Sequence, residues 1–242
     1  HASHDTRLRQ ANRGPDAHRC CTPGTLVDTE FLSPVESNFL AAVSVDSTAK
    51  PYPLIGLAML EVSTGEFWIA EFQGEQAQLQ ASDELARLDP REILCAAAAS
   101  RQEIDWLTQM RGVRLCERDA ATFDPQRAAR LLQEQFHIHT LEAFGCQGLT
   151  VGIGAAGAVL HYFRNTQPSA PLDYIRRPRV RRSSDSMHLD SVTIRNLELL
   201  KPMGASDDSH SGKPATLLSV IDRTLTAMGS RLLRQWLVRP LI

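Results

Sequence analysis

The side chains with the most chemistry to offer stand together at Arg176-Arg177-Pro178-Arg179-Val180-Arg181-Arg182, five guanidinium groups in seven positions. A guanidinium keeps its charge at any physiological pH, and its planar fork matches a phosphate. Such a run can neutralise a nucleic-acid backbone and release its counterions. The same five cations can instead pair with carboxylates and serve as a structural edge. The charge distribution frames both options. Residues 1–160 hold 13 Lys or Arg against 21 Asp or Glu, whereas residues 161–242 hold 13 against 7. The second part is the natural neighbour of a polyanion, and the acidic first part is the natural salt-bridge partner.

Other chemistries lack their parts. A phosphate loop needs GxxxxGK[ST], and the nearest string, Ser211-Gly212-Lys213-Pro214, puts proline where the Mg²⁺-binding hydroxyl belongs. Gly152-Ile153-Gly154-Ala155-Ala156-Gly157 matches GxGxxG. It lies inside an apolar helical run, however, with no strand ending before it and no acid about twenty residues on. A two-metal nuclease needs carboxylates converging from several elements. The first strand-like run, 38–45, contains none, and Asp46 only follows it. Glu92-Ile93-Leu94-Cys95 runs into four alanines, while Glu61, Glu66 and Glu71 read as solvated strand positions. His137 and His139, two apart, suit a strand rather than a helical metal site; His161 and His188 are distant, so surface or capping roles fit better. Cysteines 20, 21, 95, 116 and 146 have no metal spacing; Cys95 and Cys116 read as small core hydrophobes, which points to a reducing cytoplasm.

The elements that must position these residues are legible from period and punctuation. Strand signals cover 38–45, 54–62 and 67–72, with Ser63-Thr64-Gly65-Glu66 as a hairpin turn. A helix over 76–88, with Leu79, Leu85 and Leu88 on one face, stops at Asp89-Pro90. A strand at 92–95, a helix at 102–110 and a strand at 113–116 follow. The order βββαβαβ with short connections belongs to an α/β domain. From Asp124-Pro125 onward the pattern turns helical, at 126–136 and 150–167. Three glycines in the second helix predict a close helix–helix or helix–sheet contact. Residues 179–189 read as extended, 191–200 as a helix capped by Asp190, and 203–215 as a Gly/Ser/Asp loop. Residues 1–18 carry no period and read as a flexible leader.

The last stretch, 216–242, places Leu218, Ile221, Leu225, Met228, Leu232 and Trp236 at steps of three and four, one face of a single helix. It ends at Pro240, with its apolar face awaiting a partner. That ending, and a first residue that is His, point to a piece of a longer protein. No apolar run is long enough to span a membrane.

Five strings in one collinear register carry a resemblance. Leu218-Ser219-Val220-Ile221-Asp222, Thr224, Thr226-Ala227-Met228-Gly229-Ser230-Arg231 and Arg234-Gln235-Trp236-Leu237 form the first. Leu189-Asp190, Thr193 and Arg195-Asn196-Leu197-Glu198-Leu199 form the second. Gln135-Phe136, Tyr162-Phe163-Arg164-Asn165-Thr166-Gln167 and Thr22-Pro23-Gly24-Thr25 complete the set. Together they resemble the MutS family of DNA mismatch repair proteins over 19–242. The resemblance implies a ribonuclease-H-like α/β connector domain over 19–125, followed by the start of an all-α core domain, truncated, over 126–242. For a whole protein of this family it implies a homodimer that recognises mismatched duplex DNA, binds ATP with Mg²⁺ and recruits MutL. The mismatch-reading domain would precede residue 1 and the ATPase domain would follow residue 242. This chain is then expected to hold no catalytic, cofactor or metal residue. Its role would be relay and docking, with Arg176, Arg177, Arg179, Arg181 and Arg182 as candidate contacts to the DNA backbone. An autonomous ribonuclease-H-like nuclease with a helical appendage is the alternative.

Overall fold

The computed structural model describes residues 37–97, 99, 101–110, 112–167, 172–182, 187, 189–203 and 216–240. The leader, Thr22-Pro23-Gly24-Thr25, Cys20, Cys21, His188 and the loop 204–215 lie outside the described residues. Apolar residues in near-continuous runs, as in strands covered on both faces, form β1 (Phe39–Asp46), β2 (Leu54–Glu61) and β3 (Glu66–Phe72). With β4 (Glu92–Ala96), β5 (Arg114–Arg118) and β6 (Arg179–Val180) they make one sheet in the order β5-β4-β1-β2-β3-β6. β2 runs antiparallel to β1 and β3; the other pairings are parallel.

Successive side chains leave opposite faces of a strand, and each face has its own cover. Ala41, Leu57, Met59, Trp68 and Ile93 pack with Ala81, Leu85, Trp106 and Leu107 of α1 (Ala77–Leu88) and α2 (Arg101–Thr108). Leu40, Ala42, Ala58, Leu60, Phe67 and Ile69 pack with Leu132, Phe136, Val159, Leu160 and Phe163 of α3 (Pro125–Phe136) and α4 (Val151–Thr166). Leu79 departs from expectation: it is exposed, because the inward face of α1 is built on Ala77, Ala81, Leu85 and Leu88, four or three residues apart.

α3 packs on α4, and α4 on β1 and β2, so both help to cover the sheet. Period shows that a helix buries a face but not which element covers it. The contact predicted by the glycines of α4 is present. A Cβ on Gly157 would meet that of Ala128 on α3, and one on Gly56 of β2 would stand 2.4 Å from the Gly152 nitrogen.

Beyond β6 three helices are described: α5 (Ser191–Asn196), α6 (Leu217–Ile221) and α7 (Ala227–Val238). Asp190 caps α5, accepting from the Thr193 N–H at 2.6 Å. The single helix expected over 216–242 is broken. Asp222 leaves the helical region, accepting from the Thr224 N–H and from Ser230 Oγ. Thr226 then caps a new helix through the Gly229 N–H at 3.1 Å. Two short polar residues that bond their own backbone outweigh a continuous apolar stripe.

Candidate nucleic-acid interface

The five arginines lie on and around β6, whose two residues, Arg179 and Val180, join the edge of the sheet. Gly65 (φ 72°) turns β2 into β3 and leaves no room for a Cβ beside the Tyr174 carbonyl. That close approach lets the Arg176 N–H donate to Gly65 O at 2.7 Å. Tyr174 OH donates to Val62 O at 2.8 Å. β6 then follows β3 with Arg179 opposite Trp68 and Val180 opposite Ile69, and the Arg181 N–H donates to Ile69 O at 2.8 Å.

This geometry divides the five. Arg176, Arg177 and Arg179 are exposed and line one cleft of about 510 Å³ with Gln135, Phe136, His137, Asp173 and Ile175. Arg176 stands 3.7 Å from Glu66, a loose and solvated pair, and Arg177 lies over the Phe144 ring at 5.8 Å. Three arginines, with Asp173 in the lining and Glu66 beside Arg176, leave the cleft with a net positive charge.

Arg181 does not belong with them. Its guanidinium stacks on Trp68 at 3.7 Å and pairs with Glu84 at 2.9 Å. Burial, with Arg239 nearby, pushes its pKa down to about 10, so it remains a cation, but one consumed inside the protein. Arg182 is exposed and makes an interaction of its own.

The carboxylates expected to be solvated are also engaged. Glu61, buried, accepts from the N–H groups of Asn38 and Thr64 and from Ser63 Oγ. Glu71 accepts from the N–H groups of Thr150 and Gly152 and thereby caps α4, where the positive helix end favours an anion. Glu92 takes the Tyr162 hydroxyl at 2.9 Å. Glu92 pairs across from Leu40, while Asp46, six residues along β1 and about 20 Å away, is held by Thr48. Those two acids cannot share a metal. Among the described residues no three His, Cys, Asp or Glu side chains form a group that could hold one. His137 is the left-handed cap of α3, not a strand residue. Cys95, Cys116 and Cys146 are free thiols, and burial pushes Cys146 up to about 11.

Sequence reasoning missed one cluster altogether. Glu84 on α1 meets Arg87 at 2.8 Å, Arg181 at 2.9 Å and Arg239 at 3.3 Å. Only the Glu84/Arg87 spacing, i and i+3 on one helix, hinted at it.

With this geometry in view, family relationships are unambiguous. The model of MutS domain II matches residues 38–176 and that of MutS domain III matches residues 192–242. Three relatives, each named DNA mismatch repair protein MutS, align over nearly the whole chain. That of Solibacter usitatus is 39% identical over 236 residues, 98% of this chain and 26% of the relative. That of Syntrophomonas wolfei is 34% identical over 226 residues, 92% and 25%. That of Syntrophobacter fumaroxidans is 36% identical over 224 residues, 93% and 24%. The chain belongs to the MutS family and carries its domains II and III. It spans about a quarter of the length of these relatives. Among the described residues no helix is long and apolar enough to cross a membrane.

Proposed function

We propose that this chain is the connector and the beginning of the core of a MutS-type mismatch repair protein, acting as relay and docking surface. One observation carries the reading: the family's domain II match, 38–176, coincides with a sheet unit that has two apolar cores of its own, while the domain III match falls on the helices beyond it. The boundary then lies between 176 and 192 rather than at 125. An antiparallel β1-β2-β3 meander extended by parallel β4 and β5 supports a ribonuclease-H-like connector, and the short helices beyond 187 support the start of an all-α core. The whole protein would be a cytoplasmic homodimer that recognises mismatched DNA, binds ATP and Mg²⁺, and recruits MutL. Among its described residues the sheet unit presents a folded surface without convergent carboxylates, as a docking domain would, and MutL is its partner in this reading.

DNA contact narrows to Arg176, Arg177 and Arg179, the three arginines that share the exposed cleft. Binding should ignore mismatches, with a salt slope of at most about −2.7 for three phosphates. The test is crosslinking of this chain to MutL together with duplex binding on matched and mismatched DNA. Crosslinks within 38–176 and equal affinity for both duplexes are expected. Clear mismatch preference, or absence of any MutL contact, would contradict the assignment. Metal-dependent cleavage of a branched or hybrid nucleic acid would favour the nuclease instead.

A further inference from the structure

The missed cluster sits where the two family domains meet, and its parts come from three places. Glu84 and Arg87 lie on α1, Arg181 follows β6, and Arg239 closes the end of α7. Among the described residues neither apolar cluster extends past Val180. Among the described residues, polar contacts join the later helices to the sheet unit. Arg87 donates to Leu189 O at 2.8 Å, the Ser191 N–H donates to Asp83 at 3.3 Å, and Lys201 meets Asp89 at 2.9 Å. Arg231 donates to Ser63 Oγ at 2.5 Å, and Arg239 reaches both oxygens of Glu84 at 3.3 and 3.4 Å.

We propose that Glu84 and Arg239 form an ionic latch that holds the helices beyond 187 against the sheet unit and allows them to leave it as a body. The asymmetry of the cluster makes release feasible. Removing one partner of a buried ion pair ordinarily strands an uncompensated charge. Here Arg87 and Arg181 both belong to the sheet unit, and Arg181 is further fixed by the Trp68 ring. When Arg239 departs, Glu84 keeps two cations at 2.8 and 2.9 Å. Arg239, one-fifth exposed in its side chain, moves toward water that can solvate it. At Glu84 both states are therefore electrostatically satisfied, as a two-state junction requires; Arg231, 3.9 Å from Glu61, is a second ionic contact that parts with the helices. An interdigitated apolar interface would instead lose its buried area on opening. Asp83, beside Glu84, adds negative charge facing Arg87.

The test is hydrogen exchange resolved by peptide, on the whole chain and on Arg239→Gln, Arg239→Lys and Arg234→Gln. Arg239→Gln should speed exchange across 187–200 and 217–239 by about tenfold or more, while β1 to β4 change by less than about twofold. Raising NaCl from about 0.05 to 0.5 M should do the same to the unaltered chain and little more to Arg239→Gln. Arg239→Lys should retain most of the protection. Arg234→Gln, which removes a charge from the same helix, should leave exchange unchanged. Unaltered protection of 217–239 in Arg239→Gln would overturn the latch. So would equal acceleration in the sheet, or an equal effect from Arg234→Gln.

Discussion

Between 37 and 182, helices and strands bury apolar faces on one another. Between 187 and 240, Leu199, Leu218 and Val238 are the buried hydrophobics among the described residues, while Leu225 is wholly exposed and Met228 and Trp236 are more than half exposed. Both regions have helix-forming sequence. They differ in what the apolar stripe meets. In α4 thirteen of sixteen residues are buried, so three glycines in the helix are offset by packing on three sides. In α7 only Ser230 and Val238 are buried, and the helix rests on its Thr226 cap and a few polar contacts. Short helices are marginal alone in water. The first region is therefore a cored unit, and the second depends on what holds it there.

The comparison can be broken most forcefully in the first region. Phe163, wholly buried between α4 and the sheet, should cost about 3–5 kcal/mol as Phe163→Ala, measured by urea unfolding. A loss below about 1 kcal/mol would mean that the apolar contacts are not what sustains the unit. Gly56→Ala comes next. Its new Cβ would stand within about 2.5 Å of the backbone at Val151 and Gly152, so α4 must shift off β2. About 1–3 kcal/mol of destabilisation follows, with methyl chemical shifts in Ile69 and Leu57 reporting the displacement. At the small end, Leu225→Ser should alter stability by no more than about 0.5 kcal/mol and should improve solubility, since it removes an exposed apolar group. A large loss there would show Leu225 to be buried in solution.

The same contrast explains what could be read from the sequence. The strands, the order βββαβαβ, the Asp190 cap and the tight packing of the α4 glycines were legible, because each is a local pattern with a local cause. The split of the arginine run was not. Arg179 and Arg181 are two apart, and which of them faces Trp68 and Glu84 depends on how β6 registers on β3. The Glu84 cluster joins residues 97 and 155 apart in sequence, beyond any spacing rule. Glu71 likewise caps a helix 81 residues away. The break at Asp222 could have been suspected, since Asp222 and Thr226 are both residues that favour helix caps.

Urea unfolding at low and high NaCl, followed by circular dichroism and by pulse proteolysis to locate the cleaved segment, tests the division most directly, because urea leaves ionic strength free to vary. The account predicts two transitions. The first, in 187–240, should move to lower urea as salt rises, and the second, in 37–182, should hold its midpoint. One coincident transition for both segments, unmoved by salt, would contradict the claim that a cored sheet unit carries its neighbouring helices on an ionic junction.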